Sequence, residues 1–145
     1  MKIHGMAGHL IRRLNQISTQ TFSKHIQNAG HDLTSVQFAA MEAIAMFPGI
    51  DQAGVAAKIA YDRATIGGVI DRLVKKGFVA RTVSKQDRRA REVRLTSQGE
   101  ALLRDIHPLV EALQADILEN LTPQERAMFM KLATKAVNLT RNTEQ

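Results

Sequence analysis

At Gly77 the hydrophobic period of the chain changes from 3.6 residues to 2, and the residues on either side of that change restrict the folds open to it. Before it, Asp51 can cap a short helix over Gln52 to Ala60 whose buried side is Val55, Ala56 and Ile59. Asp62 can cap a second helix over Arg63 to Lys76, closed by Gly77. The link Ala60-Tyr61-Asp62 is tight, so the pair has the layout of a helix-turn-helix. After Gly77, Val93 and Leu95 alternate with Glu92 and Arg94, and Phe78 to Val83 and Glu92 to Thr96 read as two strands of a hairpin with a long polar tip, Ser84 to Arg91. A helix-turn-helix followed at once by a basic hairpin is a winged helix. One of its helices enters the major groove of DNA, and the hairpin tip reaches the flanking backbone or minor groove.

Charge falls on the same stretch. The 145 residues carry 20 Lys+Arg and 14 Asp+Glu, a net +6. Between Arg63 and Arg94 ten basic residues face three acidic ones, a local +7, so the other 113 residues sum to −1. A solvated helical face could hold such a cluster, but here it coincides with both elements that would face DNA.

The flanks are helical. Residues Gly8 to Ala29 repeat apolar side chains at Leu10, Ile11, Leu14, Ile17 and Phe22, with Gly30 as a stop. Thr34-Ser-Val-Gln37 is a capping box with Leu33 and Phe38 as its apolar staple, and the helix it opens ends at Pro48-Gly49. Ser97-Gln-Gly-Glu100 reads as another capping box, opening a helix through Leu103, Ile106, Leu113 and Ile117 that Pro108 kinks without ending. Thr122-Pro-Gln-Glu125 starts the last helix, with Met128, Phe129, Leu132, Val137 and Leu139 on its apolar side, and Asn142 to Gln145 fray. Aromatics are 4% and Trp is absent, so the core rests on aliphatic side chains that suit helices. The chain therefore reads as one winged-helix protein over residues 1–145, mainly α with a small β-hairpin. Its last two helices carry apolar stripes too long for one chain of this size to cover, which predicts a dimer.

Absences narrow the chemistry. Without cysteine there is no disulfide framework, thiolate metal site or thiol redox sensor. Glycine-rich phosphate loops, a GxSxG elbow and HExxH are missing, and the five histidines (His4, His9, His25, His31, His107) form no i, i+4 pair, so no enzyme, cofactor or metal site is expected. No stretch approaches the ~20 apolar residues of a membrane span, and the first residues do not build a signal peptide, which points to the cytoplasm.

The run Asp62-Arg-Ala-Thr-Ile-Gly-Gly-Val-Ile-Asp-Arg-Leu-Val-Lys-Lys-Gly-Phe-Val-Ala-Arg81, followed by Asp87-Arg-Arg89, Val93-Arg-Leu-Thr96 and Gly99, resembles the MarR family of transcription regulators. The resemblance implies a winged helix-turn-helix lobe over 34–96. It also implies dimerisation helices over 1–33 and 97–145, a homodimer on a palindromic operator, usually repression, and often release by a small phenolic or carboxylate ligand. It implies base or phosphate contacts from Arg63, Thr65 and Ile66 in the first turn of the recognition helix. In the wing it implies Asp87 as a brace pairing with an arginine and Arg89 as the minor-groove reader, leaving Arg88 and Arg91 as phosphate contacts or as the partner of Asp87. Arg72, Lys75 and Lys76 read as phosphate-facing or solvated. Gly67 and Gly68 each cost roughly 1 kcal/mol in a helix interior, explained either by close approach to DNA or a neighbouring helix, or by tight packing alone.

On the first helix His9, Arg13 and Gln16 share one face while Leu10, Leu14 and Ile17 point to the core. An arginine beside that core could take a carboxylate in a bidentate pair. The stretch His9 to Leu14 is similar to family members that answer to aromatic acids, implying Arg13 as anchor, Arg12 as substitute and His9 as hydrogen-bond partner. Otherwise Arg12 and Arg13 are solvated or bridged to an acid of a second chain. A constitutive, architectural DNA-binding protein would use the same wing without any ligand. An interaction dimer that has lost DNA binding fits poorly with Arg89 and the local charge.

Overall fold

A computed structural model describes residues 2–138; Leu139 and the expected fraying at Asn142 to Gln145 lie outside the described residues. A 3-10 turn, Ile3–Gly5, precedes α1 (Ala7–Asn28), α2 (Ser35–Met46), α3 (Gln52–Lys58), α4 (Arg63–Lys75), β1 (Val79–Val83), β2 (Arg91–Leu95), α5 (Ser97–Ile117) and α6 (Pro123–Asn138). The strands pair antiparallel, Val79 opposite Leu95 and Val83 opposite Arg91. The loop before α3 adds one rung, Asp51 bridging Glu92 and the Ile50 carbonyl accepting from the Val93 amide.

The local start signals act as their chemistry requires. Thr34 and Gln37 cap α2 reciprocally, Asp51 accepts from the Gly54 amide at 2.7 Å, and Thr122 and Glu125 exchange bonds at the head of α6. For α5 the expectation needs correction. Its cap is Thr96 rather than Ser97: the Thr96 hydroxyl accepts from the Gly99 amide and donates to the Gly77 carbonyl at 2.6 Å. The hydroxyl thus joins α5 to the end of α4, a tertiary bond invisible in a local pattern. Helix α5 runs on through Pro108 without ending. Helix α3 stops two residues earlier than its apolar period suggests, because Ala60 turns left-handed (φ 60°) and the Tyr61 amide bonds back to the Ala56 carbonyl. A non-glycine residue in that conformation costs roughly 1–2 kcal/mol, which the helix-turn-helix angle imposes.

The core joins the C-terminal half of α1 (Phe22, Ile26) to Met41 and Ile44 of α2, Val55 of α3, Ile66, Ile70 and Leu73 of α4, Val79 and Val93 of the hairpin, and Leu103, Ile106 and Leu113 of α5. The first half of α1 is different from expectation: Leu10 and Ile17 do not enter this core but stand exposed, and Leu14 is half-buried. Helix α6 buries none of its described side chains; Met128, Met130, Leu132 and Val137 are all exposed. Between α1, the end of α5 and α6 an open apolar groove of about 920 Å³ is lined by Ile11, Leu14, Phe129 and Leu132, among others.

Helix α5 leaves the wing through a very close contact. A Cβ on Gly99 would stand 2.1 Å from the Phe78 carbonyl oxygen. Gly99→Ala is therefore expected to lower stability by about 3 kcal/mol, read as a fall in melting temperature; a neutral effect would show that the junction can open.

Candidate nucleic-acid interface

Helix α4 is two-faced. Ile66, Val69, Ile70 and Leu73 are buried, while Arg63, Thr65, Gly68, Arg72 and Lys75 are exposed. The expectation that Ile66 meets a base edge is therefore corrected: at 1% exposure it is a core residue, and the spacing 66, 69, 70, 73 already carried that signal as one apolar stripe. Asp62 caps the helix, accepting from the Thr65 amide at 2.7 Å. That amide bond, helped by the Thr65 hydroxyl, holds the Asp62 carboxyl below its usual range.

Gly67 and Gly68 meet nothing: a Cβ at either would find no atom within 4 Å. Packing against the preceding helix, or within the chain at all, does not account for them.

At its first turn α4 faces the wing across a cleft of about 210 Å³ lined by Asp51, Gln52, Arg63, Ile66, Arg89 and Arg91. Three arginines, from α4 and the wing, thus border one small cleft together with the Asp51 carboxylate. Arg88, Arg72 and Lys75 are exposed outside the cleft. The wing tip is ordered by backbone bonds. The Ser84 hydroxyl accepts from the amides of Gln86 and Asp87, the Ala90 amide reaches the Asp87 carbonyl, and the Asp87 carboxylate accepts from the Arg89 amide at 3.0 Å. Asp87 is a brace, but on the backbone: no ion pair with Arg88 or Arg91 is present among the described residues, contrary to the expected pairing. A short Asx turn satisfies its carboxylate and leaves the neighbouring guanidinium groups outward.

Two basic residues of the cluster are spent inside the lobe. One Arg81 nitrogen donates to Asp71 of α4 at 2.6 Å and to Gln52 of α3 at 2.9 Å, tying the wing to both helices of the helix-turn-helix. Lys76, read from sequence as phosphate-facing or solvated, instead bonds the Asp32 carbonyl at 2.8 Å and Gln37 at 3.0 Å. Charge alone could not have marked either as internal. An acid ten residues before Arg81 and a buried amide near Lys76 are partners set by the fold.

Along α1, Arg13 donates to Gln16 at 3.0 Å, His9 is half-buried with its ring against His4, and Arg12 and Arg13 have no carboxylate partner among the described residues. At 100° per residue this face lies opposite the groove-lining Ile11, Leu14, Asn15 and Ser18. His25 and His107 pair with Asp116 and Glu42, pinning α1 and α2 to α5. No group of three or more potential metal ligands occurs among the described residues.

The geometry is that of a winged helix-turn-helix, and comparison with known proteins agrees. The MarR family profile matches residues 31–90. The transcriptional regulator HosA of Escherichia coli is 32% identical over 138 residues, covering 95% of this chain and 99% of HosA. The chain belongs to the MarR family. Among solved structures, Bordetella bronchiseptica BpsR, whose DNA binding is regulated by 6-hydroxynicotinic acid, superposes with a TM-score of 0.83 at 30% identity, covering 95% of this chain and 97% of BpsR. A mutant of Escherichia coli MarR complexed with operator DNA gives 0.78 at 29% identity, covering 89% of this chain and 91% of that one. As a MarR-family member the chain is a DNA-binding transcriptional regulator and not an enzyme. Among its described residues no helix is long and apolar enough to cross a membrane.

The bare stretch of α4 makes the MarR-type recognition helix less stable than its fold requires. Gly68→Ala is expected to raise global stability by about 1 kcal/mol in thermal or denaturant unfolding, because the methyl meets open space and the residue gains helix propensity. A loss of stability would mean that the position is filled in the free protein.

Proposed function

We propose that this regulator binds a palindromic operator as a homodimer, represses by occupying it, and is released by a small aromatic carboxylate. The cleft where Arg63, Arg89 and Arg91 converge between recognition helix and wing carries the DNA part of this reading. Residues 34–96 form the DNA-binding lobe. Residues 1–33 and 97–145 form the dimerisation helices, whose uncovered groove and bare α6 take the second chain. Two lobes related by a two-fold axis meet half-sites about one helical turn, ~10 bp, apart. Arg63 and Thr65 face base edges or phosphate, Arg89 enters the minor groove, and Arg72, Lys75, Arg88 and Arg91 neutralise phosphates. The cytoplasm, where the DNA is, is the place for such a protein.

The ligand part is supported by Arg12 and Arg13 of α1, which have no carboxylate partner among the described residues, and by BpsR, a structural relative whose DNA binding a heteroaromatic carboxylate regulates. In this reading Arg13 anchors the carboxylate, Arg12 substitutes for it, and His9 and Gln16 complete the hydrogen bonding. The rival reading is an architectural protein that binds DNA without a ligand. A response of DNA binding to a small acid separates the two.

Two experiments test this function. Arg89→Ala is expected to cost about 1–3 kcal/mol of operator affinity and to reduce preference for A·T-rich flanks. Lys75→Ala, in contrast, weakens all sequences alike and lowers the slope of log K against log salt by about one. Equal behaviour of the two variants in titrations over a salt series would remove Arg89 from its role. For the ligand, a thermal-shift screen with 6-hydroxynicotinic acid and hydroxybenzoates is expected to raise the melting temperature of the parent but not of Arg13→Ala. A shift that survives in the variant places the ligand elsewhere.

A further inference from the structure

We propose that Lys76 is a positioning residue: its ammonium fixes the end of the recognition helix to the junction between α1 and α2 and thereby sets the spacing of half-sites that the dimer accepts. This rests on the two-fold operator reading above.

The ammonium has three N–H donors and meets three oxygens: the Asp32 carbonyl at 2.8 Å, Gln37 Oε1 at 3.0 Å and the Asp32 carboxylate at 3.5 Å. Two of its donors are hydrogen-bonded inside the chain, and its charge faces the Asp32 carboxylate. The acceptors are the ones that hold neighbouring elements in place. Gln37 is buried, and the same oxygen accepts from the Thr34 amide in the capping box of α2. Asp32 lies in the turn through which α1 passes into α2. Lys76 itself is the C-cap of α4, its amide bonded to the carbonyls of Arg72 and Val74. One nitrogen therefore joins the exit of α1, the start of α2 and the end of α4.

The reading end of α4 lies at the other end of the helix. A helix of 13 residues is roughly 20 Å long. A rotation of about 10° at the clasp swings Arg63 and Thr65 by roughly 3 Å, close to the ~3.4 Å per base along one strand. Because α1 is a dimerisation arm in the reading above, the angle between α1 and α4 determines how far apart the two recognition helices stand. Lys75, the adjacent residue in sequence, is exposed and takes the opposite role, a phosphate contact with no part in the clasp.

The test compares the parent with Lys76→Met, which keeps the aliphatic stem, with Lys75→Met, and with Asp32→Ala, whose side chain is 94% exposed and whose loss removes only the outermost acceptor. Affinities are measured over a salt series for a two-fold site selected from a random duplex pool and for the same site with its halves moved one base pair apart. Lys76→Met is expected to keep the parent's salt slope and to reduce its preference for the selected spacing about tenfold, a change of about 1.4 kcal/mol. Asp32→Ala shifts that preference in the same direction by less, and it carries the test if Lys76→Met fails to fold. Lys75→Met keeps the preference and lowers the slope by about one. A slope for Lys76→Met that falls as for Lys75→Met would make Lys76 a phosphate contact and overturn the proposal. Parental spacing preference in folded Lys76→Met, or in Asp32→Ala if that variant alone folds, overturns it equally. A parent with no spacing preference overturns the operator reading itself, and the clasp proposal with it.

Discussion

The architecture turns on the few atoms where the recognition helix, the wing and α5 meet. Gly77 takes a left-handed conformation (φ 83°) that ends α4, and the Thr96 hydroxyl bonds its carbonyl. The Phe78 carbonyl accepts the Thr96 amide and sits against the bare backbone of Gly99. A side chain at Gly99 would collide with the Phe78 backbone carbonyl, and one at Gly77 would need its left-handed φ, so the junction is held at a separation that glycine permits. The hairpin cannot shift along α4, and α5 cannot tilt away from the hairpin, without opening this knot. The orientation of the DNA-facing lobe against the long helices follows from it.

Much of the fold was legible where its cause is local. A capping threonine and the glutamine three residues on, an aspartate before a helix, a glycine after one, and the alternation of Val93 and Leu95 all act within a few residues of themselves. What escaped is what depends on distance. Ser97 satisfies a capping pattern, but Thr96 wins the position because its hydroxyl has a second partner 19 residues away. The apolar face of Leu10 and Ile17 is plain in sequence, yet a pattern states only that a face seeks cover, not which chain supplies it. Ile66 is the opposite case: it lies in the first turn of the recognition helix, where DNA-facing side chains sit, yet its spacing with Val69, Ile70 and Leu73 places it on the buried stripe.

Counting charges overstates the field this lobe presents. Of the ten basic residues from Arg63 to Arg94, Arg81 is paired with Asp71, an acid already in the local sum, and Lys76 with Asp32, which lies far outside the segment and is not. Such pairs are partly screened and add modestly to stability, but they fix angles between elements, which a surface pair of long, mobile side chains does poorly. The remaining cations lie mainly at the recognition turn and the wing, so the positive field is narrower and better aimed than the sequence total of the segment implies.

Helix α6 has a different kind of consequence. The Arg126 guanidinium ties it back to the chain by bonds to the carbonyls of Leu118 and Leu121, and no described side chain of it is buried. A helix of 16 residues without a packed face is marginal by itself. If a second copy supplies that face, folding of the arm and assembly become one equilibrium, and the abundance of the protein in the cell sets its stability. A regulator built this way loses its DNA-binding form when its own gene is expressed too weakly, so dosage acts on it as directly as any small molecule.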